Sequence, residues 1–152
     1  EISNFARPGE ACQHNLNYWR NGPYVGLGPS AASKVGLERS GNVRAIGPYR
    51  RAIEGGERPL AWAETPPSRV RLAETWWLGL RLTEGVDPRE ARSAARFPDQ
   101  EPDPFAPIVA RLEHQGLLER AGSRLCLSRR ALPLGDAVAR EFLAAAQDPA
   151  RV

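Results

Sequence analysis

The side chains of this sequence that can bind a ligand or do chemistry are concentrated in residues 11–33. A thiol (Cys12), an imidazole (His14), two amides (Asn15, Asn17) and three large aromatics (Tyr18, Trp19, Tyr24) precede two glycines (Gly26, Gly28) and two hydroxyls (Ser30, Ser33). Aromatic walls with a few orienting polar groups beside a glycine-containing turn are the ingredients of a ligand pocket. His14 is either a metal or cofactor ligand or a loop histidine bonded to backbone. Cys12, two residues earlier, is a second candidate metal ligand, although one Cys-x-His pair is far from a complete metal motif. Gly26 and Gly28 either let a ligand approach the backbone closely or permit tight strand-to-turn packing. Amides of the turn leading into Ser30 can hold a carboxylate or phosphate.

Something must position these groups. Residues 1–6 read as a short strand broken by Arg7-Pro8-Gly9, and residues 10–22 as a loop or short irregular helix carrying the cluster. Residues 24–28 read as a buried strand running into a turn at Gly28-Pro29, with a short helix beginning over 30–33. Residues 42–46 make a further strand, and 48–54 a short helix stopped by Gly55-Gly56. This order is expected at the closing end of an α/β barrel or open parallel sheet whose earlier strands lie elsewhere. A barrel cut there would expose a strand edge, which predicts aggregation or a partner half for residues 1–62.

The second half reads as helical. After a connector over residues 57–65, Thr65-Pro66-Pro67-Ser68 signals a helix start, a capping hydroxyl with proline beside it. Over residues 68–82, Val70, Ala73, Trp76, Trp77 and Leu80 recur at steps of three and four, an amphipathic helix with two tryptophans at its core face. Asp87 caps a second helix reaching about Phe97, and an acidic, proline-rich loop follows over 98–104. A third helix, 105–115, turns Ile108, Val109 and Leu112 inward and ends at Gly116. Residues 117–120 and 124–127 form a hairpin in which Cys126 is a small buried hydrophobe, and residues 134–146 make a last helix. Three helices, a hairpin and a closing helix follow a winged-helix-like order.

Composition narrows the classes. With 152 residues, 41% hydrophobic and 26% charged, the chain can bury a core. It has no apolar run long enough to span a membrane and no signal-peptide pattern, so the cytoplasm is the expected location. Two isolated cysteines make neither a disulfide framework nor a metal knuckle. The net charge of +3 comes from residues 1–62, with 8 basic and 5 acidic groups, against 13 of each in residues 63–152. That excess is too mild to point to nucleic acid. The third helix sets Arg111 against Glu113 behind an acidic loop, which opposes DNA binding by the winged-helix-like part. The absence of methionine suggests a piece of a longer protein.

The successive motifs Glu1-Ile2-Ser3-Asn4-Phe5-Ala6-Arg7-Pro8-Gly9, Cys12-Gln13-His14-Asn15-Leu16-Asn17-Tyr18-Trp19 and Tyr24-Val25-Gly26-Leu27-Gly28-Pro29 resemble the back half of the HemW-type radical S-adenosylmethionine (SAM) family, which includes oxygen-independent coproporphyrinogen III oxidase-like proteins. The segments Leu78-Gly79-Leu80-Arg81-Leu82-Thr83-Glu84-Gly85-Val86-Asp87 and Leu112-Glu113-His114-Gln115-Gly116-Leu117-Leu118 are similar to its C-terminal domain. The resemblance implies a mixed fold: the end of a TIM-like radical SAM barrel at residues 1–62, then a small helical, winged-helix-like C-terminal domain at 63–152. It associates His14, Asn15 and Tyr18 with heme, His14 as a candidate axial ligand to the iron, and places Gly26, Gly28 and Ser30 at a cofactor-side turn. The implied function is holding heme and passing it to client proteins. Two other readings are part of a coproporphyrinogen III oxidase in porphyrin biosynthesis and a DNA-binding winged helix. The family's four-iron cluster and SAM are expected in a full-length parent, together with the N-terminal half of the barrel. The Cys-x-x-x-Cys-x-x-Cys cluster motif is absent here, so this chain alone should do no radical chemistry. Where many members have Gly-Ala-His-Ser, it reads Ser30-Ala31-Ala32-Ser33.

Overall fold

The first helix of the chain, α1 (Gln13–Trp19), carries the polar and aromatic cluster. The computed structural model describes residues 4–147, which divide into two compact units: residues 22–66, and residues 4–21 together with 67–147. The expected N-terminal strand is not seen. Its residues 1–3 lie outside the described residues, and residues 4–7 have no strand pairing.

In the smaller unit, β1 (Ala32–Val35) and β2 (Glu38–Asn42) pair antiparallel across a two-residue turn. Gly36 takes the first turn position at φ 60°, the positive dihedral that a type II′ hairpin turn asks of it. Helix α2 (Ile46–Glu54) then leads to β3 (Leu60–Glu64), which pairs antiparallel with β2 around an irregularity at Gly41/Asn42. The sheet order is β1-β2-β3. Several expectations are corrected here. The strands are antiparallel rather than parallel, and residues 57–65, read as a connector, contain β3. Residues 30–33 begin no helix, because a turn there leads straight into β1. Residues 24–28 are not a buried strand: Tyr24 makes one isolated bridge to Lys34, while Val25 and Leu27 are 69% and 87% exposed. An apolar run signals burial only where something packs against it.

The larger unit follows its sequence pattern closely. It runs α3 (Ser68–Gly79), α4 (Pro88–Ala94), α5 (Ala106–His114), the antiparallel hairpin β4 (Leu118–Ala121) and β5 (Arg124–Leu127), a 3-10 helix (Arg129–Leu134) and α6 (Gly135–Gln147). Asp87 caps α4 as expected, its Oδ1 accepting from the amides of Arg89 at 2.9 Å and Glu90 at 3.3 Å. α4 stops before Phe97, since Arg96 turns to φ 46°. The hydroxyl cap expected for α3 is absent. Pro67 occupies that position and no side chain caps the helix.

The core lies where α3, α5 and α6 meet. Trp76 stacks on Phe142 with ring centroids 4.9 Å apart and planes at 10°, and Phe105 meets Phe142 edge-on at 5.6 Å. Leu72, Leu80, Leu112 and Leu125 are equally sealed from water, each worth roughly 1.5–3 kcal/mol in burial. Trp77 is only half-buried. Val86 and Leu125 exchange both backbone hydrogen bonds, at 2.9 and 2.8 Å, which ties the turn after α3 to the hairpin. Gly85 at φ 63° makes that approach possible, because a Cβ there would meet the Leu125 carbonyl.

Candidate functional site

α1 belongs to the larger unit and has two faces. Leu16 and Trp19 are partly buried, whereas His14 and Asn15 are exposed. With about 100° of rotation per residue, His14 and Tyr18 fall one turn apart on the outward side. Their rings meet edge-on, with centroids 4.8 Å apart and planes at 84°. Among the described residues no hydrogen bond engages a ring nitrogen of His14. His14 lies in a helix rather than a loop. Cys12, exposed, sits at the N-terminal boundary of α1.

Behind α1 lies a cavity of about 440 Å³, lined among others by Trp19, Arg20, Thr75, Gly79, Val86 and Glu90. It is within the size range of ligand sites, but His14, Asn15 and Tyr18 do not line it. The structure therefore brings His14 and Tyr18 together, with Asn15 exposed beside them in sequence, apart from the cavity lining.

The turn at Gly26, Gly28 and Ser30 lies in the smaller unit, and its amides are already engaged. Gly26 N donates to Ser33 Oγ at 2.9 Å, Gly28 N to the Tyr49 hydroxyl at 3.1 Å and Ser30 N to the Val43 carbonyl at 3.1 Å. The Asn42 amide donates to the Gly28 carbonyl at 2.9 Å. Gly26 has a packing reason, since a Cβ would strike the Ala32 carbonyl, and Gly28 takes φ 103° with nothing near its missing Cβ. These amides are spent holding the turn rather than open to an anion.

Two thiols cannot satisfy a four-iron cluster, which needs three or more protein thiolates. Cys12 is exposed and Cys126 buried, and burial pushes the Cys126 thiol up, which keeps it protonated. No group of three or more His, Cys, Asp or Glu able to hold a metal ion occurs among the described residues. No helix there is long and apolar enough to cross a membrane. In the larger unit, Arg111 pairs with Glu141 and Arg120 with Glu113.

Residues that the motif pattern did not single out hold α1 in place: Thr75, Arg81 and Glu84 each reach its C-terminal end. A signal was available, because Arg81 and Glu84 are two of the three charged residues inside the 78–87 segment, the third being the cap Asp87.

Comparisons with known proteins bear on the family and the fold. The family model of the HemN C-terminal domain matches residues 67–134. The heme chaperone HemW of Mycobacterium tuberculosis is 34% identical over 143 residues, 94% of this chain and 34% of that protein. The heme chaperone HemW of Bacillus subtilis is 32% identical over the same length, 94% of this chain and 37% of that protein. The chain thus spans about a third of the length of these curated relatives. Among solved structures, the coproporphyrinogen III oxidase HemN of Escherichia coli, a radical SAM enzyme, superposes with a TM-score of 0.62 at 14% identity, over 91% of this chain and 35% of that one. At that identity the likeness is one of fold, a mixed arrangement of helix and sheet. Taken together, the matched domain, the relatives and the fold make this chain a C-terminal portion of the HemW/HemN type.

Proposed function

We propose that the chain is the heme-holding C-terminal portion of a HemW-type heme chaperone, which takes up heme and delivers it to client proteins in the cytoplasm. The observation that carries this reading is the exposed imidazole of His14, with no hydrogen bond on its ring nitrogens among the described residues and Tyr18 edge-on at 4.8 Å. His14 would supply the nitrogen that ligates the iron, and Tyr18 and Asn15 would supply an aromatic surface and an amide for contact with the porphyrin. Bound heme supplies the iron that this nitrogen ligates. An exposed ligand suits handover, since a client's own ligand can reach the iron without unfolding the donor. In the parent, residues 1–62 would close a radical SAM barrel whose missing strands cover the exposed apolar groups of the smaller unit, with 63–152 as a winged-helix-like domain. Gly26, Gly28 and Ser30 would shape the cofactor-side turn through packing. The cluster and SAM would be held by the upstream half.

Hemin titration tests the reading. The chain should give a shifted Soret band, and His14→Ala should lose that shift and weaken binding by about tenfold or more, on the order of 1.4 kcal/mol. An identical titration of the two proteins would overturn it. Transfer to an apo-acceptor, followed spectrally, then asks whether bound heme leaves.

A further inference from the structure

α1 lacks most of what holds a short helix together. It is seven residues long, its N-cap Cys12 makes no side-chain capping bond, its first turn has no acidic residue, its last turn has no basic one, and no residue in it is fully buried. Isolated helices below about 12–15 residues are marginal in water, so α1 is held from outside itself.

Three consecutive residues at the C-terminal end of α1 are held by the C-terminal domain. The Arg81 guanidinium lies over the Trp19 ring, 4.9 Å from its centroid, and is itself paired with Asp136 at the start of α6. Arg20 forms a two-pronged bond to Glu84, at 3.1 and 3.4 Å. The Asn21 amide donates to Thr75 Oγ1 at 3.0 Å, and that hydroxyl donates onward to the Arg71 carbonyl at 2.9 Å. His14, at the other end, makes only its ring contact with Tyr18 among the described residues. That contact exists only while the chain between the two residues is helical, because a one-turn spacing brings their rings together.

We propose that Arg81, Glu84 and Thr75 of the C-terminal domain are positioning residues: by clamping Trp19, Arg20 and Asn21 they keep α1 helical and so present His14 and Tyr18 as one ligand-facing ridge. The proposal rests on the heme reading for its ligand but not for its mechanics. Arg81 is the central member. Its side chain is only 17% exposed and it joins α1 to both the end of α3 and the start of α6.

The test uses the full chain with Arg81→Gln, Arg81→Lys and Glu84→Gln, read by amide hydrogen exchange without ligand and by hemin titration. In Arg81→Gln, exchange at the Leu16 and Arg20 amides, which donate to the Cys12 and Leu16 carbonyls, should rise about tenfold while α5 and α6 stay protected, as local opening requires. Hemin binding should weaken by about tenfold. Arg81→Lys should recover part of both effects. In a His14→Ala background the Arg81 change should add no further loss of hemin binding. Unchanged exchange in α1, or equal loosening of α1, α5 and α6, would overturn the clamp. Loosened α1 with undiminished hemin binding, where His14→Ala does weaken it, would overturn the positioning role. If His14→Ala also leaves hemin binding untouched while α1 loosens alone, the heme reading fails and the clamp stands.

Discussion

Among the described residues, the hydrophobic side chains sealed from water all lie between Leu72 and Ala145, while in residues 22–66 the sealed positions are Ser40, Gly41 and Pro66. The same chain therefore contains a unit built around a stacked aromatic core and a unit held by sheet pairing, turn geometry and polar side chains. In the second, Tyr49 and Ser33 receive the amides of Gly28 and Gly26, and Asn42 spans the turn, tasks that buried apolar packing would otherwise perform. Its larger apolar groups, Val25, Leu27, Val35, Ile46, Ile53 and Trp62, remain open to solvent. The contrast shows that regular secondary structure and a stabilising core are separable. A hairpin and a helix can form where nothing beneath them excludes water, but cooperative stability then has to come from elsewhere.

Substitutions can break or sharpen this contrast. The largest effect is expected from Trp76→Ala, which removes a ring stacked on Phe142 in the middle of the core. It should cost about 3–5 kcal/mol in denaturant unfolding. The buried indole N–H of Trp76 has no hydrogen-bond partner among the described residues, so a Phe replacement should recover a good part of that loss.

Asp87→Ala should cost about 1 kcal/mol by uncapping α4. The effect has a pH signature. The Ser123 hydroxyl comes first among the causes that hold this carboxyl below its ordinary value of 3.8; burial opposes it, and the amides of Glu90 and Arg89 and the Arg124 charge bring the net direction down. A depressed folded-state pKa means a contribution fully present above the unfolded value and lost as pH falls through the folded one. The difference between the native chain and Asp87→Ala should be constant at neutral pH and shrink below about pH 4, as urea midpoints taken across pH would record. A gap that persists into strong acid would assign the effect to packing instead.

The smallest change is expected in the other unit. Leu27, 87% exposed, should be replaceable by Ser with less than about 0.5 kcal/mol of effect on unfolding, while lowering the tendency to self-associate in light scattering. A loss comparable to Trp76→Ala would erase the distinction between the two units.

The helical unit was legible because its signals are local. Ile108, Val109 and Leu112 recur at helical spacing, Asp87-Pro88 marks a start, and Gly116 and Gly122 mark turns at φ 64°. The differences there are small: α3 ends at Gly79 and α4 before Phe97, α3 lacks its hydroxyl cap, and Trp77 is only half-buried. The smaller unit was poorly legible for a physical reason. β2, Glu38-Arg39-Ser40-Gly41-Asn42, has no apolar alternation, so its strand state depends on partners distant in sequence. β3 was hidden behind Pro59, which donates no hydrogen bond but accepts one from Val43 at 2.8 Å. At the site, the resemblance marked His14, Asn15 and Tyr18, but not that α1 would be carried by the C-terminal domain. That follows from Arg81 and Glu84 reaching back across more than sixty positions, as the sequence separation of 64 between Arg20 and Glu84 illustrates.

The placement of the two thiols has a practical consequence. Cys12 stands in solvent at the head of α1, while Cys126 is buried and held protonated by its surroundings, so a maleimide dye should attach at one address without mutagenesis. That address is two residues from His14. An iron porphyrin docked there would quench the dye by energy transfer, and departure to an acceptor would restore the emission. Labelled at Cys12, the native chain would thus serve as an optical gauge of the proposed heme loading and release.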